Sequence, residues 1–487
     1  MKIAISYPPI IGSKGVPLLS QNRQFQWFSD PTYIYPMIPA YAATLLKNDG
    51  HDVIWDDAIA TNKTLESWEK DITKEHPNLI AIETKTPVIK SHWTTINRIK
   101  NLMPDVKVVL YGDHVTRLPL ESFEKSAVDY VITGGDYDFV MLSLANYLEG
   151  RSNKMEGGIY YRDGEKIKNS GLPSLKHDLN SLPFVDRDLT KWELYAYTVG
   201  NFKYTPGTYT MVGRDCWWRL NGGCTFCSWT SLYPNYKVRK PDLAVEEVEY
   251  LVNKYKIKEI FDDTGTFPVG NWLKRFAELI IERGLNERVY LGCNMRFGVL
   301  KEDDYRLMKK ANFRFILFGF ESANRKTLGL LNKGITPEEQ IQGTKMAAKA
   351  GLDPHLTIMF GYPWETKDEV METMNVAKQL IRKGYAKTWQ VTIVTPYVGT
   401  KLYDQAVENG WLSSNDYDEF DMKEPVLKTS LNDKDVLEAV SSLYSVAKSP
   451  DFVIKRLLSI RSVEDIRYIM RGVRKIVTHT KDFSPSN

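Results

Sequence analysis

Cysteine is scarce in this chain, with four residues among 487. That number is too low for the disulfide framework of a small secreted domain. The first residues, Met1–Ser6, have the pattern of a β-strand rather than of a signal peptide, so a cytoplasmic location is predicted. The chain also lacks any run of 18 apolar residues that could span a bilayer.

Neither sign of charge is in excess. The formal net charge is only +3, which is too balanced for a protein whose partner is a nucleic acid. Apolar residues make up 43% of the chain and charged residues 26%, a composition that agrees with a globular enzyme. The length allows two or three domains with sizeable cores.

Three of the four cysteines lie close together. Cys216, Cys224 and Cys227 fall within twelve positions, whereas Cys293 stands alone. Thiolates bind zinc, copper(I) or iron–sulfur clusters, and three ligands leave one position of a tetrahedral metal or a cubane cluster for chemistry. Two other interpretations fit the spacing alone. Cys224 and Cys227 could form a redox pair, or Cys216 and Cys293 could complete a four-thiolate zinc site.

Apolar strands alternate with helical patterns around and after the cysteines. Such alternation is typical of a parallel sheet with helices outside. The predicted strands are Tyr209–Gly213, Glu259–Asp262, Val289–Asn294, Phe313–Gly319, Leu356–Gly361 and Trp389–Thr395. Six strand–helix units over residues 209–411 predict a partial (β/α)6 barrel, whose chemistry is expected at the carboxyl ends of the strands.

A separate α/β domain is predicted over residues 1–150. Its strands are predicted at Lys2–Ser6, Asp52–Trp55, Leu79–Glu83, Lys107–Tyr111 and Asp129–Thr133. This is a doubly wound, Rossmann-like pattern, and such sheets bind ligands at the carboxyl edge of the strands. The aromatic-rich excursion Ile10–Ile38 is long for a connection inside a domain, so we expect it to cover a ligand or to reach the substrate cavity.

The remaining segments are a predicted connector, residues 151–208, with a hairpin around Asp163-Gly164, and a predicted C-terminal helical domain, residues 412–487. Within the latter, Asp451–Val477 interleaves apolar and basic side chains, so it either lies on an anionic membrane or packs on its own domain. Packing is favoured, because burying each large apolar side chain stabilises by roughly 1.5–3 kcal/mol. The apolar set is Phe452, Leu457, Leu458, Ile466, Ile469, Met470, Val473 and Ile476.

Residues 1–410 resemble the radical S-adenosylmethionine (SAM) enzymes that carry an N-terminal cobalamin-binding domain. The resemblance is carried by the three cysteines, by the aromatic Phe226 before the third, and by segments at successive strand ends. Those segments are Phe261–Phe267, Cys293–Arg296, Gly319–Ser322, Gly361–Thr366 and Pro396–Thr400. In that family the three cysteines hold a 4Fe–4S cluster, and SAM chelates the remaining iron.

The resemblance also implies a SAM site at the strand ends. Carboxylates there would hold the charged amino-acid end of SAM, and the planar fork of Arg296 would pair with its carboxylate. The alternative role for each acid is a helix cap or a salt bridge at the barrel rim. The residues so implied are Phe226, Asp262, Asp263, Arg296, Glu321, Ser322 and Tyr362.

Cobalamin is implied at the carboxyl edge of the first domain. The residues concerned are Pro8, Pro9, Thr84, Lys85, Thr86, Gly112, Asp113, His114, Val115, Gly134, Gly135 and Asp136. No D-x-H-x-x-G sequence follows the first strand, so no histidine is predicted as the lower axial ligand. His114 follows the fourth strand and is expected to pack or to hydrogen-bond corrin side chains. A Rossmann-like domain without a cofactor is the alternative.

One departure from the family pattern concerns the cysteine spacing. The family has C-x3-C-x2-C, whereas seven residues separate Cys216 from Cys224 here. The longer loop costs little closure entropy, and Gly222 and Gly223 supply the freedom to return Cys224 to the cluster. Trp217, Trp218 and Arg219 in the insertion either wall the cluster from water or simply pack the loop.

The resemblance implies a methyltransferase that acts on a small molecule. One SAM would methylate cobalamin, and a second would yield a 5′-deoxyadenosyl radical that activates an unactivated carbon. An external one-electron reductant, of flavodoxin or ferredoxin type, would supply electrons. A cobalamin-dependent cyclase that transfers no methyl group is the nearest alternative, and a non-enzymatic cluster-bearing sensor is a third. The substrate is not identified by any motif.

Overall fold

Two β-sheets, one largely and one wholly parallel, organise the chain in the computed structural model, which describes residues 1–19, 25–174, 176–198, 201–233 and 235–482. Parts of four predicted segments lie outside the described residues: 20–24 of the excursion, 175 and 199–200 of the connector, 234 of the barrel, and 483–487 of the C-terminal domain.

The first sheet lies in the N-terminal domain. Its strands are β1 (Lys2–Tyr7), β4 (Asp52–Asp57), β5 (Leu79–Thr84), β6 (Lys107–Gly112), β7 (Tyr130–Ile132), β8 (Ile159–Asp163) and β9 (Lys166–Asn169). Between β1 and the first helix, β2 (Val16–Pro17) and β3 (Trp27–Phe28) form a separate short hairpin. The order is β4-β1-β5-β6-β7-β8-β9, and the first five are parallel. This 2-1-3-4-5 arrangement is a doubly wound fold. The predicted hairpin is β8–β9, which extends the sheet antiparallel to β7.

Helices cover both faces of the first sheet. They are α1 (Met37–Asn48), α2 (Leu65–Glu75), α3 (Ile89–Leu102), α4 (Asp113–Arg117), α5 (Pro119–Lys125) and α6 (Tyr137–Leu148). The strand Leu79–Thr84 is buried along its whole length, as expected for a sheet covered on both sides.

The second sheet is the predicted partial barrel. Its elements are β10 (Gly207–Thr210), β11 (Gly213–Arg214), α7 (Trp229–Leu232), β12 (Lys237–Val238), α8 (Pro241–Tyr255), β13 (Glu259–Asp262), α9 (Asn271–Glu282), β14 (Tyr290–Met295), α10 (Glu302–Lys310), β15 (Phe313–Glu321), α11 (Arg325–Leu330), α12 (Pro337–Lys349), β16 (Asp353–Phe360), α13 (Lys367–Arg382), β17 (Thr388–Ile393) and α14 (Lys401–Glu408). Six parallel strands follow in the order β10-β13-β14-β15-β16-β17. Local signals set the helix starts: Thr336 with Glu339, and Thr366 with Glu369, form capping boxes. The predicted α/β fold class is confirmed.

The C-terminal helices are α15 (Asp433–Ser445), α16 (Pro450–Leu458) and α17 (Val463–Asp482). Helix α15 packs on the barrel, since the Tyr444 hydroxyl accepts a hydrogen bond from Val391 N and donates one to Val391 O. The predicted packing of the following apolar stripe is wrong for five of its eight members, which are exposed: Leu457, Leu458, Ile466, Met470 and Val473. The reason is that α17 contacts the protein through polar residues such as Asp465 and Lys475, which turns its apolar face outward.

Candidate functional site

A cavity lies at the carboxyl ends of the barrel strands, and all three clustered cysteines line it. Its volume is about 170 Å³, and it is partly open to solvent. Apolar side chains such as Leu317 and Met359 line it together with polar ones such as Thr392. The position agrees with the general location of catalytic sites in parallel barrels.

The insertion between Cys216 and Cys224 folds as a short 3-10 helix, Trp217–Asn221, which the two glycines close. Gly222 and Gly223 have φ values of 87° and 68°, in the left-handed region where a side chain is disfavoured, as the sequence predicts. The chain then returns to the cavity at Cys224, and Cys227 N donates to Cys224 O at 3.2 Å.

Trp218 both lines the cavity and packs the loop, the two roles considered for the insertion. It lines the cavity, and its Nε1 donates to Asn332 O at 2.6 Å. Its ring also fills the space beside Gly334, where a Cβ would lie only 2.2 Å from ring atoms. Thr225, just after Cys224, is bound by the same loop, since its N donates to Leu331 O at 3.0 Å. The loop Leu331–Gly334 therefore supports the cysteine segment.

The placement of the fourth cysteine argues against a four-thiolate zinc site. Cys293, the proposed fourth zinc ligand, is fully buried in β14 and does not line the cavity, and burial raises the pKa of its thiol well above the usual value. Three thiolates around one larger cavity fit a polynuclear group.

Cys216 is itself largely desolvated. Burial raises the pKa of its thiol, and a 3.0 Å hydrogen bond with Thr266 Oγ1 opposes that rise. Beside it, Asp215 has a φ of 67°, which is uncommon for a residue with a side chain. Burial raises the pKa of Asp215 to about 7, and the nearby guanidinium of Arg219 opposes the shift.

Glu321 forms an ion pair with Lys333 inside the cavity. The Lys333 ammonium lies 3.1 Å from Glu321 Oε1 and donates to Gly319 O at 3.0 Å. Both side chains are buried. Glu321 has a φ of 59°, and the register of β15 against β16 shifts between Gly319 and Glu321. Strained backbone of this kind concentrates at functional sites.

Lys333 was not predicted as a site residue. It comes after the helix that follows the fourth strand, and it is brought back to the cavity by the turn Asn332–Gly334. The only signal in the sequence is a lysine before a glycine, which is too common to identify a site.

Arg296 lines the cavity as predicted, but its guanidinium has protein partners. It lies over the Trp218 ring, 4.3 Å from the centroid, and its Nη2 donates to Lys333 O. Its Nη1 lies 3.6 Å from Cys224 Sγ. The positive charge is therefore directed at the cysteine loop.

The other residues predicted for SAM differ in placement. Phe226 lines the cavity, whereas Asp262, Asp263, Ser322 and Tyr362 do not. Asp262 instead orders the start of the cysteine loop, accepting hydrogen bonds from Val212 N at 2.9 Å and Thr210 Oγ1 at 3.0 Å. Burial raises its pKa to about 6.

The remaining three of these are held behind the cavity wall. Asp263 accepts from Asn294 Nδ2 at 3.1 Å. Ser322 donates to Glu365 Oε1 at 3.1 Å. Tyr362 is fully buried and stacks on Trp364, with ring centroids 5.4 Å apart.

Buried polar atoms around the cavity lack partners in the described part of the chain. They include Asn294 Oδ1 and Thr395 Oγ1 on the lining, and the Tyr362 hydroxyl behind it. Leaving such atoms unsatisfied costs roughly 1–3 kcal/mol each, so they fit a site built for a polar ligand.

The residues predicted for cobalamin gather at the carboxyl edge of the first sheet but do not line this cavity. Several bond to neighbouring side chains: Thr84 with His92 at 2.8 Å, Thr86 with His114 at 3.1 Å, and Asp136 with His177 at 3.0 Å. Lys85 Nζ lies 4.0 Å from Asp113 Oδ2, and Val115 is fully buried.

The loops at this edge also make close backbone contacts, and β1 is followed by the buried Pro8 and the half-buried Pro9. Gly112 and Gly134 have φ values of 131° and 88°. Gly135 N donates to Leu232 O at 2.7 Å, and a Cβ on Gly135 would lie 2.2 Å from the Tyr233 ring. The edge of the first sheet is therefore directed at the segment that follows the cysteines.

Two further contacts join the first domain to the cavity. The Arg214 guanidinium, two residues before Cys216, lies 2.5 Å from Asp138 Oδ2, and both side chains are buried. Tyr397, on the cavity lining, accepts from Phe25 N at 2.9 Å and donates to Phe25 O at 3.2 Å. The predicted aromatic excursion thus reaches the cavity wall.

Comparisons with known proteins agree with this architecture. The model of the Radical SAM superfamily matches residues 212–377. A protein of Pyrococcus horikoshii named as an uncharacterized methyltransferase is 30% identical over 401 residues, which are 81% of this chain and 83% of that protein. An anaerobic magnesium-protoporphyrin IX monomethyl ester cyclase of Cereibacter sphaeroides is 24% identical over 425 residues, 84% of this chain and 66% of that protein.

Among solved structures, the radical SAM methyltransferase TsrM of Kitasatospora setae, with cobalamin and a 4Fe–4S cluster bound, matches with a TM-score of 0.68 at 14% identity. The match covers 99% of both chains, so the two proteins share their fold throughout.

A cysteine-lined cavity at the end of a partial barrel and the family match define the class, a radical SAM enzyme. The chain belongs to the radical SAM superfamily. Its two-domain fold is that of solved cobalamin-dependent members. The predicted family and enzyme class are confirmed. Within the described part of the chain no helix is both long and apolar enough to cross a membrane.

Proposed function

We propose that this enzyme is a cobalamin-dependent radical SAM methyltransferase that methylates a poorly nucleophilic carbon of a small molecule. The observation that carries the proposal is the cavity in which Cys216, Cys224 and Cys227 meet, closed on one side by contacts from the doubly wound domain. Relatives named as methyltransferases support the reaction type. Because thiolate-held clusters persist in reducing compartments, we also propose a cytoplasmic location.

The three cysteines would hold a 4Fe–4S cluster, which supplies the electron that cleaves SAM. Around it, Arg296 and Trp218 shield the cysteine loop, since the guanidinium stacks on the indole and points at Cys224. Leu317 and Met359 make part of the lining apolar. An apolar lining keeps competing reactions away from a reactive intermediate.

Lys333 and Glu321 would hold the amino-acid end of SAM. That end carries one ammonium and one carboxylate, and the buried pair offers the two opposite charges 3.1 Å apart. A carboxylate and an ammonium in a desolvated site form strong charge-assisted hydrogen bonds. Phe226 lines the same cavity and would flank the ligand. Asp262 would act indirectly, by fixing the start of the cysteine loop.

Cobalamin would lie between the domains, at the carboxyl edge of the first sheet. The support is the two-domain fold shared with solved cobalamin enzymes and the common edge occupied by the predicted residues. The side chains of Thr84, Thr86 and Asp136 are hydrogen-bonded to other side chains of the protein. Their proposed role is therefore to shape this edge of the sheet.

Turnover with methyl-deuterated SAM tests the methyl transfer. The protein is reconstituted without oxygen, supplied with cobalamin and a flavodoxin-type reductant, and incubated with small-molecule extracts. We expect a product that carries the deuterated methyl group, measured by mass spectrometry. The Cys216→Ala variant is the control and should form none. Consumption of SAM to 5′-deoxyadenosine with an undeuterated product would contradict methyl transfer.

That contrary outcome is the signature of the second candidate, a ring-forming enzyme that transfers no methyl group. The specific observation in its favour is the 24% identity to an anaerobic cyclase across 84% of this chain.

His114 is predicted not to be an axial ligand of cobalamin. Both of its ring nitrogens face protein groups, Thr86 Oγ1 at 3.1 Å and Glu121 Oε2 at 3.0 Å, and Tyr417 covers the ring. We therefore expect His114→Ala to bind cobalamin with an unchanged visible absorption spectrum. A spectral shift of the kind caused by loss of an axial nitrogen would contradict this placement.

A further inference from the structure

Helix α17 contacts the rest of the protein through its polar face, whereas a packed amphipathic helix normally buries its apolar face. Its polar side chains contact the protein: Asp465 pairs with Lys203 at 2.6 Å, Arg471 donates to Phe202 O at 2.7 Å, and Lys475 donates to Pro31 O at 2.8 Å. Four of its apolar side chains point away and are 45–67% exposed, namely Val463, Ile466, Met470 and Val473, whereas Ile469 and Ile476 are half-buried. The helix is thus anchored by its polar face, and its apolar face is presented to the surroundings.

Helix α16, the preceding helix, also has exposed apolar side chains. Phe452 packs edge-on against Trp389, with ring centroids 5.3 Å apart, and this contact orients the helix. Its other large apolar side chains are 39–67% exposed, namely Val453, Ile454, Leu457 and Leu458. Of the 18 large apolar side chains exposed among the described residues, eight lie between residues 453 and 473. We call these eight the C-terminal apolar face. Such a concentration marks an interaction surface rather than the usual scatter.

Basic residues accompany this face. Between residues 452 and 475 the chain has seven Lys and Arg but only two acidic residues, Glu464 and Asp465. Asp465 is turned inward to Lys203. Arg461 and Arg467 are exposed, and Arg474 keeps 72% of its side chain exposed while it pairs with Asp30 at 2.6 Å. The segment therefore carries a local excess of five positive charges.

The positive charge of this segment indicates which partner covers the C-terminal apolar face. A second copy of this chain would bring the same positive excess against itself, and like charges across an interface are unfavourable. An anionic bilayer surface offers opposite charge and an apolar layer beneath it. We propose that α16 and α17 lie on an anionic membrane surface, with the C-terminal apolar face buried at the boundary between head groups and acyl chains.

Co-sedimentation of the full chain with lipid vesicles tests this proposal. We expect the protein to pellet with phosphatidylcholine vesicles that contain phosphatidylglycerol. Binding to vesicles of phosphatidylcholine alone should be weaker by roughly tenfold or more, because each basic residue near an anionic surface adds about 1 kcal/mol. Salt at about 1 M should release the protein, since it shortens the screening length to about 3 Å. Equal binding to both vesicles, or no binding, would overturn the proposal.

Two pairs of matched variants separate the apolar and the charged contributions. Leu457→Gln with Met470→Gln should weaken vesicle binding by roughly tenfold or more. The control is Leu102→Gln with Leu172→Gln, since those side chains are 52% and 91% exposed elsewhere, and it should bind like the original protein. Arg467→Gln should weaken binding to anionic vesicles and leave binding to neutral vesicles unchanged. The control is Lys434→Gln, at a lysine that is 84% exposed, which should leave both unchanged.

Light scattering without lipid checks the competing occupant. The proposal expects a scattering mass that does not depend on the C-terminal apolar face. A dimer that dissociates in the Leu457→Gln, Met470→Gln variant would show that a second copy covers the face, and the membrane proposal would be wrong.

Discussion

Replacement of Cys216, Cys224 or Cys227 by alanine will abolish the iron–sulfur cluster, while Cys293→Ala will leave it in place. The first three line one cavity, and the fourth is fully buried in a barrel strand with its thiol pKa raised by burial. We expect about four irons per chain in the protein reconstituted without oxygen, with the broad visible absorption of thiolate-ligated iron. Each of the three variants should lose both signals and all SAM cleavage.

Cys293→Ala is the matched control for folding as well as for ligation. It removes one buried sulfur from the core, which costs stability but leaves the cavity lining intact. Circular dichroism of the four variants should show native secondary structure. Stoichiometric zinc without iron in the original protein, or loss of iron in Cys293→Ala, would contradict the ligand assignment.

Removal of the Asp138 carboxylate will strongly destabilise the junction between the two domains. Asp138→Asn leaves Arg214 buried without its 2.5 Å partner, and breaking a buried ion pair by removing one member costs about 3–5 kcal/mol. Asp136 Oδ1, 3.7 Å from Arg214 Nε, offsets part of this, so we expect a loss of about 3 kcal/mol. The free energy of unfolding in urea measures it.

An exposed ion pair between the same two domains provides the control. Arg117 and Asp404 lie 3.3 Å apart with more than half of each side chain exposed, so Asp404→Asn should cost less than about 1 kcal/mol. The double variant Asp138→Leu, Arg214→Met removes both buried charges and should regain part of the lost stability. If Asp138→Asn behaves like Asp404→Asn, the buried pair does not hold the domains together.

Local sequence signals were sufficient for most elements of both sheets. The predicted barrel strand Glu259–Asp262 has the observed bounds, whereas the first barrel strand, predicted at Tyr209–Gly213, is Gly207–Thr210. Such segments are identified by their own periodicity and caps, which do not depend on distant parts of the chain. The cysteine loop could be predicted for the same reason, because Cys216, Cys224 and Cys227 are close in sequence.

The candidate SAM residues could be predicted only in part. Asp262, Glu321 and Ser322 all follow or end barrel strands, yet only Glu321 reaches the cavity. The left-handed backbone of Glu321 and the register shift of β15 turn its side chain inward. Ser322, one position later, is held by Glu365 from another strand end. No local pattern specifies which of two adjacent polar residues turns toward the cavity.

The sequence by itself determined the superfamily, the order of the two sheets along the chain and the three cysteines that meet at one strand end, because spacing and periodicity encode them locally. Only the tertiary structure decided that Lys333 pairs with Glu321 and that α17 presents its apolar face outward. Both depend on contacts between residues far apart in the chain, Trp218 with Asn332 in one case and Lys203 with Asp465 in the other. Periodicity shows that a helix has an apolar face, but the partners of its polar face decide where that apolar face points.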